Sequence, residues 1–172
     1  MARTDDNPEG VPDEVFAEME EGMRNDRAHF FTGFFKDFYG VGWIDRPVSE
    51  EVLNLSWATA MMAGLRPTLL AAKAFASTDF RPDLAALTVP TLLIHGTADK
   101  TVPIDATARA VVAAVPQATL VEYEGEAHGV FASQTERLIA DLLGFLEGRT
   151  VEPGEQAAID VATAQSMSFQ PL

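Results

Sequence analysis

The sequence of 172 residues contains no cysteine, which excludes a disulfide framework and thiol chemistry and leaves the redox compartment unread. Basic residues are scarce: 12 Lys and Arg stand against 26 Asp and Glu, a formal net charge of -14. A chain this acidic repels phosphate backbones and anionic headgroups, so neither nucleic acid nor a membrane is expected as a partner. Long apolar runs are absent too. None approaches the roughly 18 residues that a spanning helix needs, and no charged-then-apolar signal segment opens the chain, so a cytoplasmic location is expected. The three histidines, His29, His95 and His128, have no metal-ligand spacing, and no metal site is expected.

Against these absences, a hydrophobic content of 47% is enough for a real core, and the length favours one domain. Three parts follow along the chain. Residues 1–83 read as mostly helical after a polar lead-in. Val15, Phe16, Met19 and Met23 make one apolar stripe, and Phe30, Phe31, Phe34, Phe35 and Phe38 another. Such stripes are more often core than the lining of a ligand pocket. Ser49 followed by Glu50 and Glu51 is a good helix start, with Leu53, Trp57, Ala60 and Met61 on the face behind it. Residues 84–148 read as an α/β portion. Residues 149–172 form a polar tail containing Pro153, Gly154 and Pro171, expected to stay mobile apart from a helix near 156–164. No internal repeat is present.

The chemistry lies between residues 89 and 146. The apolar run 91–94 fits a buried parallel strand, and His95-Gly96-Thr97-Ala98-Asp99 leaves its carboxyl end as a loop. Residues 103–115 read as a packed crossover helix closing at Pro116, and 118–123 as the next strand. The following loop, 124–128, ends in His128. Two consecutive strand ends thus present a carboxylate and an imidazole on one rim, where α/β folds keep their chemistry. A last helix is expected from Ser133-Gln134-Thr135-Glu136, a capping-box pattern, with Leu138, Ile139, Leu142, Phe145 and Leu146 at helical spacing. Alone, Asp99 fits an ordinary turn residue. Paired with His128 it fits the acid and base of a Ser-His-Asp triad, in which the acid fixes the imidazole tautomer. His95 reads as a structural imidazole hydrogen-bonded near its loop, and His29 as a partly exposed helix residue.

These residues carry a resemblance. Residues 87–146 resemble the C-terminal part of an α/β-hydrolase, with Asp99 matching the acid and His128 the histidine. Within that superfamily the chain most resembles the cofactor-free (non-haem) chloroperoxidases and related arylesterases. The signs are Asn7-Pro8-Glu9-Gly10-Val11-Pro12, Thr78-Asp79-Phe80 followed by Asp83-Leu84, the Val-Pro pair before the strand, His95 to Asp99, and Glu124-Gly125-Glu126-Ala127-His128-Gly129. The likeness runs from residue 1 to about 148, and it implies that the helical part is a cap over the active site. It also implies action on carboxylic esters or acids through an acyl-serine, with peracid formation from peroxide as an added activity and no cofactor.

The departure from that family is as informative as the match. Its N-terminal half carries an HG-type oxyanion loop and a Gly-x-Ser-x-Gly elbow, and neither occurs here. None of the six serines, Ser49, Ser56, Ser77, Ser133, Ser166 and Ser168, has the flanking glycines a strained elbow needs. The chain therefore reads as a C-terminal half, from a truncated gene model, a cleavage product or a split protein. The fold expected is a partial α/β-hydrolase: the helical region plus the last two parallel strands of a sheet that has about eight in full. Two strands leave ladder groups unpaired, so self-association or a complementing N-terminal half docking beside residues 91–94 is expected. A non-catalytic remnant or subunit is the alternative reading.

Overall fold

The two apolar stripes of the N-terminal part fall on one bent helix, α1 (Asp13–Tyr39). The bend is at Asp26, where φ -151° and ψ 86° leave helical geometry and the carboxylate accepts from the His29 N–H at 2.9 Å. A short acidic side chain that accepts from an N–H three residues on is an N-cap, so Asp26 ends one segment and opens the next. The computed structural model describes residues 2–5 and 7–149. Apart from Arg149, the expected tail and its helix near 156–164 lie outside the described residues.

Helix α2 (Glu50–Met62) starts where the sequence places it: Ser49 Oγ accepts from the Val52 N–H at 3.3 Å, with Glu50 and Glu51 in the first turn. Helix α3 (Leu65–Ser77) follows, and both pack on α1. Arg27 donates to the carbonyls of Ala63 and Met61 at the end of α2, satisfying acceptors that have no partner inside the helix. The Trp57 indole N–H donates to the Ala28 carbonyl at 2.9 Å across the same interface. A short 3₁₀ turn, Arg81–Ala86, leads into the α/β part.

Strands β1 (Thr91–Gly96) and β2 (Ala118–Tyr123) pair in parallel, in register from Thr91 opposite Ala118 to Gly96 opposite Tyr123. Among the described residues they form the whole sheet. The crossover helix α4 (Ala108–Ala114) is shorter than the 103–115 expected from sequence. Thr107, at φ -133° and ψ -91°, breaks the helical path, and its hydroxyl bonds the Pro103 carbonyl at 2.8 Å instead. Residues 103–107 are therefore a turn that lets the chain change direction before the helix.

A second correction concerns the C-terminal helices, α5 (Val130–Ser133) and α6 (Thr135–Leu146). The expected capping box does not form. The Ser133 hydroxyl donates to Glu126 Oε2 at 2.7 Å and the Gln134 amide to Glu126 Oε1 at 2.6 Å, so Glu126 draws both side chains away from the start of α6. Val121, Tyr123, Val115, Ala108 and Ile104 form the best-buried cluster of the α/β part. Helix α6 fastens to it through Tyr123, whose hydroxyl donates to Asp141 Oδ2 at 2.7 Å while Arg137 lies 3.9 Å over its ring. Burial, then the bond to Asp141, holds that phenol above its usual titration range.

Candidate active site

Strand β1 ends on a glycine because the loop after β2 leaves no room for a side chain there. A Cβ at Gly96 would lie 2.2 Å from the Glu126 carbonyl oxygen and 2.6 Å from that of Ala127. This close approach lets the loops after β1 and β2 bond each other. Thr97 N–H donates to the Tyr123 carbonyl at 3.0 Å, Ala98 N–H to the Glu126 carbonyl at 2.9 Å, and Gly125 N–H to Thr97 Oγ1 at 2.8 Å. The two candidate residues therefore sit on one stitched platform, not on independent loops.

Asp99 turns inward from that platform, its side chain 1% exposed. Its Oδ1 accepts from the N–H groups of Thr101 and Val102, both at 2.8 Å. Its Oδ2 lies 2.7 Å from His128 Nδ1 and 3.2 Å from His95 Nε2. Burial by itself would disfavour the carboxylate. The hydrogen bonds from His128, His95 and the Val102 N–H outweigh it and hold the carboxyl well below its usual range. An ionised Asp99 can only accept, so the hydrogen between them sits on His128 Nδ1, and in the neutral ring Nε2 is the nitrogen that holds the lone pair.

His128 is 34% exposed, enough to be reached from outside. Its ring is covered on one side by Phe38 of α1, with ring centroids 4.7 Å apart. The phenylalanine stripe thus divides: Phe31 is buried as core, and Phe38 reaches the candidate site. A cleft of about 900 Å³ lined by Lys36, Trp43, Arg46 and Val48, among others, lies elsewhere, and neither Asp99 nor His128 lines it.

The sequence pair Asp99 and His128 is brought together. His95 is hydrogen-bonded near its loop, as read, with the Val102 carbonyl 2.8 Å from Nε2, but its second partner is Asp99 itself. That contact had a signal in the four-residue spacing around a Gly turn. The bond to Asp99, against the opposing effect of burial, holds the His95 imidazolium above its usual range. His29 is exposed on α1. Thr97 and Glu126 lie in the quoted motifs and Phe38 in the apolar stripe, but nothing in the sequence marked their part in positioning the loops. Among the described residues no group of three or more His, Asp or Glu is placed to hold a metal ion.

No family model matches the chain. It is 36% identical over 148 residues to the non-heme chloroperoxidase CPO-A1 of Kitasatospora aureofaciens, covering 85% of this chain and 54% of that protein. It is 32% identical over 147 residues to the bifunctional esterase/perhydrolase DCH of Acinetobacter calcoaceticus, covering 85% and 53%. Among solved structures, bromoperoxidase from Bacillus anthracis superposes with a TM-score of 0.80 at 34% identity, over 85% of this chain and 53% of that one. An esterase from Exiguobacterium antarcticum shares the fold with a TM-score of 0.77 at 23% identity, over 85% and 52%. The chain spans about half the length of the curated relatives it matches. By sequence and by fold it is a relative of the non-heme chloroperoxidases, carrying part of an α/β-hydrolase fold.

Proposed function

We propose that this chain supplies the acid and histidine of a Ser-His-Asp hydrolase acting on carboxylic esters, the serine and oxyanion hole coming from a complementing segment. The observation that carries the reading is the 2.7 Å contact between His128 Nδ1 and a buried, ionised Asp99. With Nδ1–H committed to Asp99, His128 Nε2 takes the proton of the attacking hydroxyl and returns it to the leaving alcohol. Asp99 orients the ring and stabilises the imidazolium that forms. Attack of water on the acyl-serine completes ester hydrolysis. Attack of hydrogen peroxide gives a peracid, which oxidises halide without the enzyme; the likeness to a chloroperoxidase and an esterase/perhydrolase supports this finer form of the proposal. A cytoplasmic location belongs to the same reading.

The test uses the full chain, alone and co-expressed with the N-terminal half of an elbow-bearing relative. Alone it is expected to give no burst of product from an activated aryl ester and no labelling by a serine-directed phosphonate. The pair is expected to turn the ester over, with the label on the relative's serine and turnover lost in His128→Ala. A stoichiometric label on the chain's own serines sinks the proposal, as does full turnover in His128→Ala.

A second reading, a non-catalytic subunit that associates through its strand edge and helices, is favoured by the apolar side chains of α6. Ile139, Leu142, Leu143 and Leu146 are all exposed. Among the described residues β1 pairs only with β2, which leaves its other edge for an added strand.

A further inference from the structure

Asp99 lies between two imidazoles, and the proposed reaction uses only one of them. His95 Nε2 stands 2.8 Å from the Val102 carbonyl oxygen and 3.2 Å from Asp99 Oδ2. Both neighbours are acceptors, so Nε2 carries the hydrogen and divides it between them. His128 Nδ1 approaches the same Oδ2 at 2.7 Å, while Oδ1 is occupied by the N–H groups of Thr101 and Val102. One carboxylate oxygen thus serves two ring donors. Each draws on negative charge that the other would otherwise receive whole.

We propose that His95 is a positioning residue that takes part of the Asp99 Oδ2 charge and so sets the strength of the Asp99–His128 hydrogen bond. The placement is a built one. His95 is the penultimate residue of β1, its side chain is 13% exposed, and it stands opposite Glu122 in the strand register. The charged and titratable groups facing it are Asp99 from its own loop, Glu122 from β2, and His128 beyond Asp99. Glu122 is in turn paired with Arg109 of α4 through bonds of 2.8 and 2.7 Å. When His95 becomes imidazolium, its full positive charge pulls harder on Oδ2 and loosens the hold on His128. Acid therefore weakens, through His95, the bond that fixes the His128 tautomer.

This deepens the proposed function, because a Ser-His-Asp reaction depends on that bond, yet the bond can be read without turnover. Three histidines make the full chain suited to ¹⁵N-histidine NMR. The readout is the low-field Nδ1–H proton of His128, which moves further downfield as its hydrogen bond strengthens. In alkaline solution His95→Phe, which removes the donor, is expected to shift that proton downfield by about 0.5 ppm or more, in keeping with an acceptor no longer shared. His95→Gln, whose amide N–H falls near where Nε2 stood, is expected to stay close to the parent. On acidification the parent proton is expected to show an inflection that coincides with the titration of the His95 Cε1–H, separate from any that tracks the His128 Cε1–H, and His95→Gln is expected to lack the His95-linked one.

An unmoved proton in folded His95→Phe overturns the proposal, and so does the His95-linked inflection persisting in His95→Gln without tracking the His128 Cε1–H. If His95→Phe does not fold, the comparison of parent with His95→Gln decides by the inflection alone. Failure of the hydrolase reading is seen separately. A shifted proton with no ester turnover in the completed pair sinks the reaction and leaves the shared carboxylate standing; turnover with an unmoved proton does the reverse.

Discussion

The backbone N–H of Gly129 donates to the Phe38 carbonyl at 2.8 Å, and this bond fixes the residue after His128 to the end of α1. It joins the helical part to the α/β part at the candidate site. The helix supplies both the Phe38 ring against the imidazole and the carbonyl that anchors its loop. The contact tolerates no side chain, since a Cβ on Gly129 would sit 2.3 Å from Tyr39 Cδ1, and Tyr39 is buried. Gly129→Ala is expected to lower stability by about 1–3 kcal/mol, the usual cost of overpacking, in urea unfolding. It is also expected to displace His128 from Phe38, seen as a change in the ring-current shift of its Cε1–H. A parent-like midpoint and shift would mean that the loop is not held by this contact.

Asp99→Asn tests the carboxylate. The amide oxygen can face the N–H groups of Thr101 and Val102, but its NH₂ then meets the N–H groups of both imidazoles. Turning the amide over only moves the conflict to the backbone donors. With the amide oxygen on the backbone donors, His128 escapes by moving its hydrogen to Nε2 so that Nδ1 accepts, but the His95 N–H, shared with the Val102 carbonyl, still opposes the NH₂, so a loss of about 1–3 kcal/mol is expected in thermal or urea unfolding. In the completed pair the wrong His128 tautomer should cut ester turnover by about 10⁴-fold. A stable Asp99→Asn with parent turnover would separate Asp99 from His128 altogether.

How much of this arrangement was legible depends on how local its causes are. The two strands were, because apolar runs bounded by Pro and Gly mark them, and with the strand ends came Asp99 and His128. The start of α2 was legible in Ser49, whose cap is made within its own turn. The shortened α4 and the missing capping box were not. Thr107 turns its hydroxyl to Pro103, and Ser133 gives its hydroxyl to Glu126 in another loop, so local pattern lost to competing partners. Helical spacing grouped five phenylalanines but could not say that Phe38 alone of them faces His128. That distinction arises only when the chain brings α1 over the loop after β2.

The stability profile with pH should show two limbs. Asp99 is held below its unfolded value of 3.8, so its contribution is complete above that pH and is lost as pH falls toward the folded value. His95 is held above its unfolded value of 6.5, so its contribution is complete below that pH and is lost as pH rises through the folded value. Between these limits both are present. Thermal midpoints measured across the range should therefore fall on both sides of mildly acidic pH. In His95→Gln the alkaline decline should flatten while the acid limb remains. The same alkaline slope in parent and variant would show that the slope comes from the net charge of the chain and not from the Asp99–His95 pair.

Helix α6 makes the last prediction. Ile139, Leu142, Leu143 and Leu146 recur at helical spacing, and all four are exposed while Gly144 on the same helix is buried. Single exposed apolar residues are ordinary, but a stripe of them on one helix drives association. The chain is expected to sediment as an oligomer at tens of micromolar. Leu142→Glu combined with Leu146→Glu should return it to a monomer, helped by charge repulsion. Because these side chains face solvent, the double variant should keep the parent unfolding midpoint once both are monomeric. A parent that already sediments as a monomer would remove α6 as an association surface and leave the β1 edge away from β2 to account for any partner.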